Sequence, residues 1–310
     1  MKIIAKIGRD DIATVYIAET EGGKLIEFVD AVQPPLPREK KWVLIVSTLY
    51  GCPVHCRFCD AGTNYQGKIS AEDIIGQIDF LVKNRFRDGK ITADKFKIQF
   101  ARMGEPSFNP NVLEILDSLT DLYDAPGLMP ALSTIGPTGT TGFLKRLIDI
   151  KKKHYVGRFQ FQFSLHTTDE KLREWLMPVK LMSFEEMADY GKSFFEISDR
   201  KIALNFALTE RLSIDPEILL QYFNPEIFLI KLTPMNPTHQ ALKNRISNAL
   251  PGNGRCKIAD LLRSIGYEVI ISVGELEENN IGSNCGQYVT AHRLAGEEIK
   301  NGYTYNLQTH

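Results

Sequence analysis

Short β-rich runs alternate with helical patterns through the middle of this 310-residue chain. Segments with helical periodicity or capping signals follow most of the six runs. The predicted strands cover residues 42–48, 96–101, 130–133, 159–164, 202–206 and 227–232. Repeated strand–helix units of this kind predict a parallel sheet with right-handed crossovers. We therefore expect an α/β fold built on a partial (βα)6 barrel of the TIM type, not a closed eight-stranded barrel.

The two ends of the chain depart from this pattern. Two strand-like runs, 14–18 and 25–29, flank a Glu-Gly-Gly turn and predict a small β-hairpin, which a proline-rich linker follows. The last 70 or so residues carry one predicted helix, one predicted strand and a polar, glycine-rich loop. We therefore divide the chain into a hairpin and linker (1–40), a barrel (41–240) and a C-terminal extension (241–310).

Composition and charge predict a cytoplasmic protein with no general attraction for a polyanion. Hydrophobic residues make up 43% of the chain, which is ordinary for a globular protein, and no apolar run is long enough to span a bilayer. The N-terminus lacks the pattern of a signal peptide. Five cysteines are an odd number, which argues against full disulfide pairing and suits a reducing compartment. The formal net charge is −1, whereas nucleic-acid binders usually carry a basic surplus.

Three cysteines stand directly after the first predicted strand, with the spacing C-x3-C-x2-C. They are Cys52, Cys56 and Cys59. Three thiolates at this spacing can hold three irons of a 4Fe–4S cluster and leave the fourth iron open to another ligand. The alternative is a zinc site, in which His55 or Cys285 would be the fourth ligand.

Small or polar residues also stand at the ends of the other predicted strands. They are Gly104, Glu105, Ser133, Ser164, His166 and Asn236. The carboxyl ends of the strands in such barrels meet at one rim, where the chemistry takes place. We therefore expect these residues to surround the cysteine loop.

These motifs resemble those of the radical S-adenosylmethionine (SAM) enzymes, which carry C-x3-C-x-aromatic-C after the first barrel strand. Phe58 occupies the aromatic position here. From about residue 25 to residue 287, the order of the motifs is similar to that of the RlmN/Cfr group, which methylates an adenine of ribosomal RNA. The shared motifs are Ile26-Glu27-Phe28-Val29, the cysteine loop, Met103-Gly104-Glu105-Pro106, Leu132-Ser133-Thr134-x-Gly136, Ser164-Leu165-His166, Pro234-Met235-Asn236-Pro237 and Asn284-Cys285-Gly286-Gln287.

The resemblance implies both cofactors and roles. A 4Fe–4S cluster would bind to Cys52, Cys56 and Cys59, and SAM would chelate its open iron. An electron from a donor of the flavodoxin or ferredoxin type would cleave SAM to a 5′-deoxyadenosyl radical. Cys285 would receive a methyl group from SAM, and Glu27 would accept a proton. The implied cofactor-binding positions are Phe58, Gly104, Glu105, Ser133, Ser164, His166 and Asn236.

Two departures from the group lead us to expect a different acceptor. Ile45 stands where the group has a second essential cysteine, which resolves the covalent intermediate. The sequence before the barrel has room only for a hairpin, where the group has an RNA-binding domain. Cys256 reads as a small buried residue before a helix, not as a replacement for the missing thiol.

Three functions therefore stay open at this stage. The first is a methyl synthase that acts through Cys285 on a small-molecule or lipid-like acceptor rather than on ribosomal RNA. The second is a radical SAM enzyme that only abstracts hydrogen. The third is a non-catalytic iron–sulfur or zinc module.

Overall fold

The computed structural model describes residues 1–62, 64–250, 256–284, 288–289, 304–306 and 308–309. Within this part of the chain, the strands are β1 (Lys2–Arg9), β2 (Ala13–Glu19), β3 (Leu25–Val32), β4 (Trp42–Val46), β5 (Phe96–Phe100), β6 (Leu128–Thr134), β7 (Gln160–Ser164), β8 (Ile202–Leu208), β9 (Phe228–Pro234), β10 (Val269–Ile271) and β11 (Gln308–Thr309). The helices are α1 (Ala71–Arg85), α2 (Asn111–Leu122), α3 (Thr141–His154), α4 (Glu170–Leu176), α5 (Phe184–Phe194), α6 (Pro216–Tyr222), α7 (His239–Lys243), α8 (Lys257–Ser264) and α9 (Leu276–Ile281).

The described strands form one open sheet in the order β10-β9-β8-β7-β6-β5-β4-β3-β2-β1-β11. From β4 to β10 every pairing is parallel and joins strands that are neighbours in the sequence, as right-handed strand–helix units require. The predicted α/β fold with six successive parallel strands is confirmed, and β10 adds a seventh parallel strand.

The N-terminal region contains three described strands where the sequence predicted two. Besides the expected pair, β1 runs antiparallel to β2 over most of its length. The antiparallel pairing of β3 with β4 makes this unit continuous with the barrel sheet. The proposed boundaries at residues 40 and 240 stay predictions.

Burial alternates along the barrel strands and separates an outer face from an inner one. In β5, Phe96, Ile98 and Phe100 are fully buried, whereas Lys97 and Gln99 between them are half-buried. The buried set packs with the helices in one large core. Because successive side chains of a strand point to opposite faces, Lys97 and Gln99 face the barrel interior.

Capping side chains fix the residue at which a helix begins. The Ser70 hydroxyl accepts a hydrogen bond from the Asp73 N–H at 3.0 Å and begins α1, as its sequence predicted. No helix among the described residues has both the length and the apolar character needed to cross a membrane.

Candidate active site

The cysteine loop follows β4 directly and folds back on itself. The Cys59 N–H donates to the Cys56 carbonyl at 3.1 Å, and the Gly62 N–H is 3.4 Å from the Cys59 carbonyl. A Cβ atom on Gly62 would lie 2.7 Å from the Cα of His55. Only glycine therefore allows the chain to close this tightly around the three thiols.

Two distant segments hold the loop in place. The Arg57 N–H donates to the Leu176 carbonyl at 2.9 Å at the end of α4, and the Thr238 hydroxyl donates to the Phe58 carbonyl at 2.7 Å. The buried Asp60 carboxylate accepts the N–H groups of His239 and Gln240 at 3.2 and 2.9 Å, at the start of α7. The loop is therefore fixed between the barrel wall and the segment that follows β9.

The three thiols lie in an apolar environment close to one another. Burial raises the pKa of the Cys52 thiol to about 11. Burial also raises the pKa of Cys56 well above its usual value, and the neighbouring Cys59 and Cys52 add to the increase. Apolar residues pack around the loop, among them Val54, Ala61, Ile135, Leu176, Met177, Met235 and Ala241.

This set of donors fits a cluster better than a single metal ion. Among the described residues, no three His, Cys, Asp or Glu side chains converge so that one ion could bind them together. A zinc site with His55 therefore has no preformed geometry in this part of the chain. Three neighbouring thiols in apolar surroundings are what three corner irons of a 4Fe–4S cluster need.

Glu105 connects the ends of β5 and β6 from inside the protein. Its carboxylate accepts hydrogen bonds from the Thr134 hydroxyl at 2.6 Å, the Ser107 hydroxyl at 2.7 Å, the Ile135 N–H at 3.0 Å and the Ser107 N–H at 3.1 Å. Burial raises the pKa of Glu105, and the hydrogen bonds from Thr134 and Ser107 oppose this increase. The carboxylate is therefore already occupied by donors of the protein.

Gly104 presents its main chain next to this carboxylate. Its φ of +95° favours glycine, and a Cβ atom there would clash with the Leu49 side chain. Within the described residues no donor reaches the Gly104 carbonyl. That carbonyl is the better candidate in this segment for an ammonium ligand, because the Glu105 carboxylate already has four donors.

His166 lies directly beside Phe58, the aromatic residue of the cysteine motif. The two rings meet edge-on with centroids 4.8 Å apart. The Ala207 N–H donates to Nδ1 of His166 at 3.2 Å, which leaves Nε2 to carry the proton of the neutral ring. Burial, reinforced by the nearby Arg173 charge, lowers the pKa of His166 to about 4. His166 is therefore neutral at physiological pH.

The other predicted cofactor positions lie at the same end of the sheet. Ser133 is the next-to-last residue of β6, Ser164 ends β7, and Asn236 follows β9. All three side chains are half-buried. The structure brings these residues to the rim that carries the cysteine loop, and their contacts with SAM stay predictions.

Glu27 lies in β3, fully buried at the seam between the barrel and the C-terminal segment. Its Oε1 is 3.0 Å from Nη2 of Arg102, and its Oε2 accepts the Val289 N–H at 3.1 Å. Burial raises the pKa of Glu27, and the Arg102 charge opposes this increase. A catalytic role for Glu27 as proton acceptor stays a prediction.

Arg102 is a residue that the sequence analysis missed. It follows β5, is 5% exposed, and donates to the carbonyls of Ser283 and Gly282 at 2.8 and 2.9 Å. The only sequence signal was a charged residue between a strand and the Gly104 turn.

Cys285, the predicted methyl carrier, lies outside the described residues.

The two remaining cysteine-related predictions concern Ile45 and Cys256. Ile45 in β4 pairs with Val29 and packs on the core of the N-terminal strands. Cys256 is 6% exposed and stands at the N-terminus of α8, in the large core, as expected for a small buried residue.

Comparisons with known proteins agree with this architecture. The sequence matches the radical SAM superfamily over residues 46–196. A probable dual-specificity RNA methyltransferase RlmN from Synechococcus sp. is 28% identical over 64% of this chain and 54% of its own length. A protein of the same name from Chlorobaculum tepidum is 24% identical over 89% of this chain and 70% of its own. The chain spans only 54 to 59% of the first three relatives.

A solved structure shares the fold. The crystal structure of a radical SAM methyltransferase from Sphaerobacter thermophilus has a TM-score of 0.73, with 20% identity over 92% of this chain and 80% of that one. Members of the superfamily use a 4Fe–4S cluster and SAM, which the thiols and the rim described above fit. The superfamily match, the relatives named RlmN and the shared fold together support a radical SAM protein of the RlmN/Cfr-like group.

Proposed function

We propose that this protein is a radical SAM methyl synthase, in which Cys285 carries the methyl group to an acceptor that is not ribosomal RNA. The observation that supports it most is the anchoring of the chain on both sides of Cys285. Arg102 binds the carbonyls of Gly282 and Ser283, and Glu27 binds the N–H of Val289.

Ser283 and Val289, which flank the Cys285 segment, are thus tied to Arg102 and to its partner Glu27. Arg102 is two residues before Gly104 in the same chain segment. An enzyme that passes a methyl group through Cys285 needs this residue close to bound SAM.

The remaining predicted site residues bind different parts of the cluster and of SAM. When bound, the cluster and SAM supply the 5′-deoxyadenosyl radical. Cys52, Cys56 and Cys59 hold three of the irons, and the Gly104 carbonyl accepts the methionyl ammonium. Ser133, Ser164, His166 and Asn236 contact the ribose, adenine or carboxylate of SAM, and neutral His166 does so without adding a charge.

Two features favour an acceptor other than ribosomal RNA. The formal net charge of −1 provides no surplus of cations for the phosphate backbone, on which RNA affinity depends. Ile45 has no thiol that would release a cysteine-linked RNA by disulfide formation. We therefore favour a small-molecule or lipid-like acceptor.

The test uses the full chain, reconstituted anaerobically with iron and sulfide and reduced by flavodoxin or dithionite. With SAM deuterated in its methyl group, we expect 5′-deoxyadenosine in the medium and a labelled methyl group on the Cys285 peptide by mass spectrometry. Cys285→Ala should abolish acceptor methylation, whereas the buried control Cys256→Ala should keep it.

Other outcomes would assign a different function. Formation of 5′-deoxyadenosine without any methyl group on Cys285 would indicate an enzyme that only abstracts hydrogen. Absence of both products in cluster-loaded protein would indicate a non-catalytic iron–sulfur module. Tight, salt-sensitive binding of ribosomal RNA fragments on filters would contradict the proposed class of acceptor.

A further inference from the structure

Arg173 is a buried cation to which the proposed function gives no role. It lies in α4, and only 3% of its surface is exposed. Its Nη1 donates to the Met182 carbonyl at 2.7 Å, and its Nη2 donates to the Ile135 carbonyl at 3.2 Å. Its Nε is buried and has no hydrogen-bond partner within the described residues. The carbonyl groups that accept from this guanidinium are neutral.

No carboxylate pairs with Arg173 in the part of the chain that the structure describes. Within that part, no ion pair joins its guanidinium to an acidic side chain. Glu170 and Glu174 lie in the same helix, but both are exposed. Burial lowers the pKa of Arg173 to about 10, and these two carboxylates oppose the decrease only in part. The charge of Arg173 therefore stays largely uncompensated.

Two other buried cations of this chain each have a carboxylate within reach. Lys151 pairs with Asp199, which is itself buried, and Arg102 lies 3.0 Å from Glu27. A buried charge without such a partner costs stability. Arg173 thus lacks the kind of partner that stabilises these two cations, and a negative group bound to the protein would supply it.

Arg173 lies beside the cysteine loop. Ile135, whose carbonyl accepts from Arg173, packs in the same apolar group of residues as Cys52. Helix α4 also contacts the loop directly, because the Arg57 N–H donates to the Leu176 carbonyl at 2.9 Å. The buried cation is therefore part of the surroundings of the three thiols.

The effect of Arg173 on His166 supports the same placement. The His166 ring meets Phe58 of the cysteine motif with the ring centroids 4.8 Å apart. The charge of Arg173 adds to the burial that lowers the pKa of His166. Arg173 thus acts electrostatically on a side chain that touches the cysteine motif.

We propose that Arg173 is the buried counter-charge of the iron–sulfur site and favours reduction of its cluster. This inference rests on the cluster that the proposed function requires. Three thiolates carry more negative charge than the core of an oxidised 4Fe–4S cluster carries positive charge, so the loaded loop has a net negative charge. The electron that the donor loses increases this charge, and no proton moves. A nearby buried cation favours the reduced state, because charges interact more strongly in the protein interior than in water.

The test measures the midpoint potential of the cluster in the full chain, reconstituted anaerobically, without SAM or an acceptor. Arg173→Gln removes the charge and keeps a side chain that donates hydrogen bonds. At a fixed potential, we expect the ratio of reduced to oxidised cluster to fall at least about tenfold. For a one-electron couple this is a shift of about 59 mV toward more negative potential. Electron paramagnetic resonance of the reduced cluster measures the ratio.

Two control variants separate the charge of Arg173 from its hydrogen bonds. Arg173→Lys keeps the charge but lacks the planar fork that reaches both carbonyls. It should keep the wild-type potential and lower the stability of the cluster-free protein in urea. Lys171→Met removes an exposed charge from the same helix, and the potential should not change because water and salt screen that charge.

Three results would overturn the proposal. They are an unchanged potential in Arg173→Gln, an equal decrease of the potential in Arg173→Gln and Arg173→Lys, and a folded Arg173→Lys protein that loads no cluster. The second result would assign the effect to the hydrogen bonds. If a folded Arg173→Gln protein loads no cluster while Arg173→Lys does, the proposal is supported, because only the lysine keeps the charge. Circular dichroism shows whether each variant is folded.

Separate assays distinguish this inference from the proposed function. If the potential depends on the Arg173 charge but the wild type places no methyl group on Cys285, the counter-charge is supported and the methyl synthase function is not. If the wild type methylates Cys285 and its potential does not depend on Arg173, the function is supported and the counter-charge is not.

Discussion

Two buried glutamates lie at the same end of the sheet, and the protein stabilises them in different ways. Glu105 receives four hydrogen bonds from neutral donors, all within the adjoining ends of β5 and β6. Glu27 faces the Arg102 guanidinium and joins β3 to the C-terminal segment. The first arrangement joins the ends of two neighbouring strands at the rim. The second attaches a distant part of the chain to that rim.

This difference matters because the loss of one partner has different consequences for a set of hydrogen bonds and for an ion pair. Losing one of several neutral donors leaves the others in place. Losing one member of a buried ion pair leaves a full charge without compensation. Mutations in the two regions should therefore change the free energy of unfolding by different amounts. They should also differ in their effect on methylation of Cys285.

The largest effect is expected for Arg102→Met. It leaves Glu27 buried without its counter-charge and removes both donors to the segment before Cys285. We expect a loss of about 3–5 kcal/mol in the free energy of unfolding, measured with urea. In the fraction that stays folded, methylation of Cys285 should decrease more than formation of 5′-deoxyadenosine.

The double variant Arg102→Met/Glu27→Met provides the control. Replacing both charges by apolar side chains should recover part of the lost stability, as expected for a coupled pair. It should not restore methylation of Cys285, because the donors to Gly282 and Ser283 are still absent. Additive losses from the two single variants would show that Glu27 and Arg102 do not act as a pair.

The second-largest effect is a dependence of stability on pH that arises at the rim. His166 lies at the rim with a folded-state pKa of about 4, whereas an unfolded histidine titrates near 6.5. Between these values the unfolded state binds a proton that the folded state does not, so stability decreases as the pH falls from about 6.5 to 4. At about 1.4 kcal/mol per unit, the loss is on the order of 3 kcal/mol.

Chemical denaturation of cluster-free protein between pH 7 and pH 4 measures this decrease. His166 has a φ of +65°, a conformation that asparagine tolerates, so His166→Asn removes the titration without backbone strain. Its stability should depend less steeply on pH than that of the wild type. His55→Asn, at an exposed position with a φ of +58°, is the matched control and should retain the wild-type slope.

The sequence predicted the features that depend on local patterns and on topology. Strand–helix alternation was sufficient to predict strands β4 to β9, because each of them is a short apolar run with its own boundaries. Parallel strands then bring their carboxyl ends together, which placed Ser133, Ser164 and His166 at the rim with the cysteines.

Pairings between distant segments could not be predicted in this way. The Glu27–Arg102 contact depends on the antiparallel register of β3 against β4, which no local pattern specifies. The inward direction of Lys97 likewise requires knowing which face of β5 meets the helices. Strand β1 was missed because lysines interrupt its apolar residues, and its pairing with β2 is evident only in the assembled sheet.

The smallest effect is expected for Glu105→Gln. The glutamine oxygen can still accept from Thr134 and Ser107, but its amide group faces the Ile135 N–H and leaves that donor without an acceptor. We expect a loss of about 2 kcal/mol in urea unfolding. Burial already makes the charge of Glu105 unfavourable, as its raised pKa indicates, so removing the charge offsets part of the cost. The exposed control Glu114→Gln in α2 should change stability by less than about 0.5 kcal/mol. If Glu105→Gln were as damaging as Arg102→Met, the charge of Glu105 would itself be essential, and the two glutamates would not differ as their contacts indicate.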